Sequence, residues 1–417
     1  MKHIILLIIL ISISFYQYAF AQGKPYEGPD DPAGDPAAER VATMDGNRVL
    51  LFFRNTTELS DCCGLGYDVS KWPNNFDGTK MHDGIALILG GKVFLENDSI
   101  PVCDTSVIRS RKDLDSLVFL QSSYREFMDL SPDENVEWAF YPVFGYFNET
   151  VSNTNEIPAM SNDPNSWPVN GWPSNGNGLK WQGLWNGRLG AGITKADLEC
   201  FFVVNDAQDQ EYLQEEDTIK YYPRPGVHIG DKKSDVTVQK GKPWGGMGLR
   251  VEQRGFQWSN PQATDAIFWE YSISNISDYD LPYIFFGYLV DNAVGGEEGE
   301  GDDVAFYIKE DNLNLCYSWD IDFKPVGGGK EPGLLGIAFL ESPGIPYDGK
   351  DNDEDGLIDE KRDNQALEIV DAAAGISDME KFLEFYHLEE KDLRPHWDAD
   401  EDQDWIGWDD INGNGQY

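Results

Sequence analysis

The stretch AIFWEYSISN, residues 266 to 275, decides the fold class that the sequence predicts. Every second position carries a large apolar or aromatic side chain, at Ile267, Trp269, Tyr271 and Ile273. This period of two is typical of a half-buried β-strand. Comparable short runs lie on either side of it, and they are LECFFVVND, GLRVEQRGFQW, YIFFGYLVD, VAFYIKED and LNLCYSWDID. Because Gly, Asn, Asp and Pro separate the runs, the sequence predicts a mainly β protein with antiparallel β-sandwich regions.

Three other segments predict local structure. GIALILGGKVFLEN, residues 84 to 97, predicts a hairpin of two strands about Gly90 and Gly91. WAFYPVFGYFN, residues 138 to 148, predicts a further strand. SDMEKFLEFYHLEEK, residues 377 to 391, predicts one short helix, because its Ser and first Glu have capping-box spacing. The apolar face of that helix consists of Met379, Phe382, Leu383 and Tyr386.

The chain divides into four segments by composition. Residues 1–21 have a cationic start, the apolar run IILLIILISISFY and an A-x-A end, which predicts a secretory signal peptide cleaved near Ala21. The run is shorter than the ~20 apolar residues that span a bilayer. Residues 22–45 are rich in Pro, Gly, Ala and Asp and predict a linker, and residues 46–345 hold the β-runs in one or two domains. Residues 346–417 form an acidic segment. Because of the signal peptide and its short apolar run, we expect a secreted or cell-surface protein that does not span a membrane.

The charge balance excludes two classes of partner. The chain has 74 acidic and 32 basic residues, for a net charge of −42. A surface this acidic repels nucleic acid and anionic lipid. The aromatic content of 13% is too high for a disordered acidic chain, so we expect the acidic groups on a folded surface. Export permits disulfides, and among the five cysteines Cys62 or Cys63 with Cys103 is the first pair we expect.

DGKDNDEDGLIDEKRD, residues 348 to 363, has the ligand order of a calcium loop of the EF-hand kind. Carboxylates stand at alternate positions, a glycine follows where the loop must turn sharply, and a main-chain carbonyl and a further carboxylate come next. Calcium prefers six to eight hard oxygen ligands, which such a loop converges on one point. The predicted ligands are the side chains of Asp351, Asp353, Asp355 and Asp359 and the carbonyl of Leu357.

The loop departs from the EF-hand at its last ligand. Arg362 occupies the position of the bidentate glutamate, so this is not a sensor helix-loop-helix. Glu360 or Asp363 is expected to take over that position, with Asp348 from before the loop. The alternative is a solvated acidic loop without an ion.

Two further acidic stretches are weaker candidates. DADEDQDWIGWDDINGNGQY, residues 398 to 417, predicts a second calcium-binding zone that stops before its later ligands, so we expect the parent chain to continue. Its alternative is a frayed tail. The candidate ligands there are Asp398, Asp400, Asp402, Asp404, Asp410, Asn412 and Asn414.

The third stretch is DNAVGGEEGEGDD, residues 291 to 303, which lies between two predicted strands. With Asp320 and Asp322 at the end of a later strand, it is a candidate ion site at one rim of the sandwich. A hydrated loop is the alternative that we favour. The acidic residues of the stretch are Asp291, Glu297, Glu298, Glu300, Asp302 and Asp303.

Residues 165–190 carry Trp167, Trp172, Trp181 and Trp185 among Asn and Gly. Exposed tryptophans stack on sugar rings, which makes these four candidates for glycan contact. The alternative, which we favour, is that they cover the core, because large aromatic side chains are mostly buried.

Sequence signals for catalysis are few. The histidines stand outside any H-E-x-x-H motif, and the sequence has no G-x-S-x-G and no phosphate loop. A glycosidase needs only two carboxylates, so the motifs do not exclude that class. The sequence favours a non-catalytic protein.

Several stretches resemble a family of large secreted bacterial proteins that often leave the cell by the type IX secretion route. They are WNGRLGAGITKADLECFFVVNDAQDQEY, FWEYSISNIS with FFGYLVDNAVGG, and FLESPGIPYDGKDNDEDGLIDEKRDN. The last also resembles the aspartate-rich calcium repeats of the thrombospondin type 3 and dockerin kind. The resemblance implies export and a β-rich build, and no particular activity.

These observations together predict a calcium-stabilised, non-catalytic β-rich protein with a role in adhesion, binding or structure. Its expected cofactor is Ca²⁺, and its expected partners are glycans or cell-surface proteins. The alternative is a secreted polysaccharide hydrolase or its carbohydrate-binding module.

Overall fold

The structure is a computed structural model. It describes the following residues: 26, 28–29, 31–60, 70–93, 118–122, 129–130, 137–150, 157–174, 178–207, 213, 219–225, 227, 241–281, 283–296, 301–308, 314–325, 330–340, 369–370, 373, 376, 378–385, 389–393 and 396–397.

Strands dominate the described residues. In chain order they are β1 (Val41–Met44), β2 (Leu51–Arg54), β3 (Glu58–Leu59), β4 (His82–Lys92), β5 (Val118–Ser122), β6 (Asp129–Leu130), β7 (Glu137–Trp138), β8 (Tyr141–Pro142), β9 (Ala159–Met160), β10 (Trp172–Ser174), β11 (Gly178–Lys180), β12 (Asn186–Gly187), β13 (Gly190–Ala191), β14 (Leu198–Asn205), β15 (Lys220–Tyr221), β16 (Trp244–Gly245), β17 (Leu249–Gln257), β18 (Phe268–Asn275), β19 (Ile284–Asn292), β20 (Asp303–Ile308), β21 (Asn314–Asp320), β22 (Leu335–Phe339), β23 (Ile369–Val370) and β24 (His396–Trp397). The α-helix α1 spans Met379–Phe385, and short 3-10 turns span Pro36–Ala38, Pro164–Ser166 and Glu390–Asp392. The predicted mainly β, antiparallel class with one short helix is confirmed.

Two antiparallel sheets form the centre of the fold. The first sheet has the order β1-β2-β3-β4-β19, and β5 also pairs with β4. The second sheet has the order β18-β17-β14-β8, and β9 also pairs with β14. Its long strands β14, β17 and β18 coincide with three of the predicted β-runs, and their register sets Gln253 opposite both Phe202 and Tyr271.

The two sheets face each other through aromatic side chains. Phe53 of β2 stacks on Phe202 of β14 with 6.0 Å between ring centroids, and it meets Trp269 of β18 edge-on at 5.9 Å. Tyr271 meets Phe286 of β19 in the same way at 5.4 Å. Fully burying a ring contributes about 1.5–3 kcal/mol, so Phe53 and Phe202, which are almost completely buried, contribute substantially to stability.

The opposite face of the second sheet is buried by a charged network. Arg250 of β17 forms ion pairs with Asp31 and with Glu252. An Arg250 Nη2 atom donates to the Tyr146 hydroxyl at 2.9 Å, and that hydroxyl donates to Asp31 Oδ1 at 2.7 Å. Asp31 and Arg250 are almost fully buried. Such a pair depends on satisfied hydrogen bonds, because taking two charges out of water is costly.

Gly90 and Gly91 lie inside the long strand β4, so the predicted hairpin about them is wrong. They pair with Phe285 and Ile284 of β19. A Cβ atom at Gly91 would lie 2.9 Å from the main-chain oxygen of Tyr283. The glycine is therefore needed for a close approach of two backbones and not for a turn.

The predicted linker of residues 22–45 differs from the structure from residue 31 onward. Ala33 and Ala38 are fully buried, and the backbone N–H of Gly34 donates to Asn205 Oδ1 at 2.6 Å. β1 adds an edge strand to the first sheet. Amino-acid composition predicts a linker here because composition does not report contacts with residues distant in sequence, such as Asn205.

The chain divides into two compact units. The first takes Met1–Leu184, Ala196–Asp303 and Trp319–Leu334, and the second takes Trp185–Lys195, Val304–Ser318 and Leu335–Tyr417. In the second unit, α1 buries Phe382 fully against Ile376, Leu383 and Leu393. Asp378 stands at its start, where its Oδ1 accepts the Lys381 N–H at 3.1 Å. None of the described helices has the length and apolar character needed to cross a membrane.

Candidate metal centre

Three aspartates converge where β20 begins and β21 ends. Asp302 directly precedes β20, Asp320 is the last residue of β21, and Asp322 follows two residues later. One carboxylate oxygen from each lies within 4.8 Å of the others. β20 and β21 are neighbouring strands of one sheet, so the start of β20 lies beside the end of β21. This placement brings Asp302 close to Asp320 and Asp322. Carboxylate oxygens at this spacing are ligands that hard divalent cations prefer.

Asp320 is the buried member of the group. It is 1% exposed, whereas Asp302 and Asp322 reach solvent. Its Oδ1 accepts the backbone N–H of Asp322 at 2.9 Å, and its main-chain oxygen accepts the N–H of Phe323 at 3.4 Å. These bonds hold the chain after β21 in a turn that directs the carboxylates of Asp320 and Asp322 to the cluster.

Lys324 supplies a positive charge beside the cluster. Its ammonium donates to Asp322 Oδ2 at 2.6 Å, and this hydrogen bond lowers the pKa of the Asp322 carboxyl. The same bond, followed by the charge of Asp322, raises the pKa of Lys324, and the charges of Asp320 and Asp302 add to it. In the described part of the chain, Asp302 and Asp320 form no salt bridge. One lysine thus faces three carboxylates, and two negative charges remain.

The loop after β19 is held beside the carboxylate cluster, which forms one rim of the sandwich, by two hydrogen bonds. Its Val294 N–H donates to Asp303 Oδ2 at 2.9 Å, and its Gly295 N–H donates to the Lys80 carbonyl at 2.9 Å. Gly295 has φ +91°, and a Cβ atom there would lie 3.2 Å from Asp320 Oδ2. The loop therefore approaches the buried carboxylate closely, and glycine is the residue that permits it.

The structure brings together only part of the third acidic stretch. Asp302 joins Asp320 and Asp322, as the prediction of an ion site at one rim requires. Asp303 instead accepts a backbone N–H, and Asp291 is not a member of the described cluster. Glu297, Glu298 and Glu300 lie outside the described residues.

The two stretches with stronger sequence signals also lie outside the described residues. They are the predicted calcium loop, with Asp348, Asp351, Asp353, Asp355, Leu357, Asp359, Glu360 and Asp363, and the second zone, with Asp398, Asp400, Asp402, Asp404, Asp410, Asn412 and Asn414. Both remain predictions. Cys62, Cys63 and Cys103 of the expected disulfide lie outside as well, while Cys200 is a buried free thiol and Cys316 an exposed one.

The four tryptophans differ in burial. Trp172 and Trp185 are 1% and 2% exposed, and the Trp172 indole N–H donates to the Leu184 carbonyl at 2.8 Å. Trp167 is half-buried and donates its indole N–H to the Met160 carbonyl at 2.7 Å. A buried ring offers no face to a sugar, so burial favours the core-covering alternative for Trp172 and Trp185.

Trp181 is the tryptophan of this group with the most unusual backbone. It has φ +55°, and the Lys180 ammonium lies 4.0 Å from the centre of its ring. The cation therefore covers one face of a partly exposed indole.

Asp206 lies outside the cluster, and its carboxyl has a strongly raised pKa that its surroundings explain. Asp206 is fully buried and accepts the backbone N–H groups of Met247, Gly248 and Leu249 at 2.7–2.9 Å. Burial raises its pKa to about 8, and these hydrogen bonds oppose the rise. Its role is to anchor the turn before β17 to the end of β14.

Comparison with known proteins adds no relative: no family model, no curated protein and no solved structure matches this chain. The resemblance to secreted proteins of the type IX kind therefore stays a prediction that depends on the quoted residues.

Proposed function

We propose that this is an exported, calcium-stabilised β-rich protein that acts outside the cell or at its surface in adhesion, binding or structure, without catalysis. The observation that carries the proposal is the convergence of Asp302, Asp320 and Asp322. The predicted calcium loop of residues 348–363 adds support from the sequence. Glycans and cell-surface proteins are the partner classes that fit an acidic exported protein.

Electrostatics explains why a divalent cation suits the rim. Converging carboxylates repel each other, most strongly where burial keeps water from screening them, as at Asp320. Lys324 neutralises Asp322, which leaves the charges of Asp302 and Asp320 to be balanced. A Ca²⁺ ion supplies two positive charges and accepts the flexible geometry of side chains from separate strands.

The expected affinity is modest. Extracellular calcium modules bind with dissociation constants of about 10⁻⁴–10⁻³ M. At ten times such a constant, bound calcium stabilises the folded state by about 1.4 kcal/mol per site. Calcium is thus expected to act on stability first, and on partner binding through the stabilised rim.

The test is a calcium titration of the chain from Gln22 onward, by isothermal calorimetry and by thermal unfolding with calcium or EDTA. Asp320→Asn keeps the hydrogen-bond acceptor for Asp322 but removes a charge, so it should abolish the rim contribution to the calcium-dependent rise in Tm. Asp353→Asn should remove the contribution of the predicted loop, which separates the two sites. Asp45→Asn, at an exposed aspartate outside the rim cluster, is the control and should leave the titration unchanged.

A wild-type chain that shows neither binding heat nor any change in Tm between calcium and EDTA would contradict the proposal. Loss of the response in Asp353→Asn alone would assign calcium to the loop and remove the rim as its site.

The polysaccharide alternative has less support from the described residues. Two of its four proposed stacking rings are buried, and the half-buried Trp167 and Trp181 are left as candidate contacts. A glycan array that compares the wild type with Trp181→Ala separates this alternative from the proposal, since lost binding in the variant would favour it.

A further inference from the structure

Gln253 stands in the middle of β17 on the face that points between the two sheets. It is 0% exposed and lies in register with Phe202 on one side and Tyr271 on the other. Both Oε1 and Nε2 are buried, and neither has a hydrogen-bond partner within the described part of the chain. With no partner at all, an amide in this position would lose its hydration on folding and gain nothing in return, a situation that is rare in native proteins.

A second glutamine on the same strand shows that the fold is able to satisfy such a group. Gln257 is also 0% exposed and lies on the same face of β17. Its Oε1 accepts the Gly46 N–H at 2.8 Å, and its Nε2 donates to Asn47 Oδ1 and to the Val49 carbonyl at 2.9 Å. Burial alone therefore does not explain why Gln253 lacks partners.

Polar groups do occur near Gln253 in the interior. The Tyr288 hydroxyl donates to the Tyr271 hydroxyl at 2.7 Å, which leaves the hydrogen of Tyr271 to be donated elsewhere. Tyr271 stands directly opposite Gln253 in the antiparallel ladder, so the two side chains project from the same face. Phe202, the neighbour of Gln253 on the other strand, stacks on Phe53 and belongs to the aromatic interior.

The chemistry of the amide selects the class of ligand. A cation satisfies Oε1 but repels the Nε2 hydrogens, and an anion does the reverse. An apolar ligand satisfies neither atom. Water donates and accepts at once, and a buried water typically makes about three hydrogen bonds to groups that otherwise lack partners.

We propose that ordered water is bound inside the sandwich, where it hydrogen-bonds to the Gln253 amide and accepts the Tyr271 hydroxyl hydrogen. The water site would join β17, β18 and β19 by polar bonds within an aromatic interior. It is independent of calcium, because it involves no residue of the carboxylate cluster.

The test is a high-resolution crystal structure of the chain from Gln22 onward, in the wild type and in Gln253→Met, which preserves length and removes both polar atoms. The expected result is a water within about 2.7–3.2 Å of Gln253 Oε1 or Nε2 that is absent from the variant. Empty density at the wild-type amide, or a water that persists unchanged in Gln253→Met, would overturn the proposal.

Thermal unfolding of the same variant gives a second readout that needs no crystals. With a water site, Gln253→Met should have a Tm equal to or below that of the wild type. A higher Tm would overturn the proposal, because it would show that the amide was buried without partners. Gln257→Met is the matched control and should lower the Tm through the loss of three direct hydrogen bonds.

Discussion

The two faces of the second sheet are both buried, but different forces hold them. Between the sheets, Phe53 stacks on Phe202 and meets Trp269 edge-on, so ring contacts join the two sheets. On the opposite face, Arg250 is paired with Asp31 and Glu252. Arg250 and Gln253 belong to the same strand, so alternation along β17 sends an ion pair to one side and an amide to the other.

The difference teaches that burial of a charged residue does not by itself mark a functional site. The Asp31–Arg250 pair is deeper than any member of the carboxylate cluster except Asp320, yet its partners satisfy it. At the rim, Asp302 and Asp320 lack a salt bridge within the described residues, and it is there that a ligand is proposed. The useful signal is thus an unbalanced charge rather than a buried one.

The largest expected effect comes from breaking the charged face. Arg250→Met leaves the buried Asp31 without its cation, and removing one partner of a buried pair typically costs 3–5 kcal/mol. Since the Tyr146 hydroxyl also loses its Arg250 donor and Glu252 loses its ion pair with Arg250, we expect the upper end, about 5 kcal/mol, in urea unfolding.

Two controls sharpen this prediction. Lys330→Met removes an exposed pair with Asp77 and should not change the urea midpoint measurably. The double variant Asp31→Leu with Arg250→Met should recover part of the loss, because it no longer buries an unpaired charge. If the double variant is less stable than the sum of the two single variants predicts, the network acts through more than this pair.

The apolar face should respond less strongly to its most disruptive substitution. Phe53→Ala removes a fully buried ring that contacts both Phe202 and Trp269. Buried Phe→Ala changes cost about 3–5 kcal/mol, and we expect about 3–4 kcal/mol here because neighbouring rings are able to move into the space. The measurement is again urea unfolding, and a cost under about 1 kcal/mol would contradict close packing of the two sheets.

Local patterns in the sequence predict the strands but not their long-range partners. The strand β18 was predicted from side-chain alternation, and β14, β17 and β19 were predicted from short β-type runs bounded by turn residues. Both signals are local in the sequence. The pairing of Asp31 with Arg250 joins residues 219 positions apart, and composition pointed instead to a linker. The hairpin predicted at Gly90 and Gly91 was wrong for a similar reason, because the backbone that pairs with these glycines belongs to β19, which is distant in sequence.

The candidate site was predictable only in part. The acidic residues before β20 and after β21 are visible in the sequence, and Asp302, Asp320 and Asp322 do meet. Which carboxylates converge depends on hydrogen bonds that no motif records, such as that from Val294 N–H to Asp303. The lack of partners at Gln253 carries no sequence signal at all, since Gln257 on the same strand is satisfied.

The smallest predicted effect concerns a group that must remain neutral, in contrast to the ionised pairs of the charged face. His82 of β4 is 5% exposed, and its Nδ1 has no hydrogen-bond partner among the described residues. Burial, followed by the charge of Lys80, lowers its pKa from 6.5 to about 4. Between these two values the unfolded chain binds a proton more readily than the folded one, so stability is lost as the pH falls from 7 to 4.

A shift of this size corresponds to about 3 kcal/mol, at 1.36 kcal/mol per pKa unit. The experiment compares the urea-unfolding free energy of the wild type and His82→Phe at pH 7 and pH 4. Acid protonation of carboxylates acts on both proteins, so the difference between their two pH dependences isolates the histidine. The variant should lose about 3 kcal/mol less than the wild type over this interval. Equal losses would show that the imidazole is able to take up a proton in the folded state, which would require a polar partner or water beside His82.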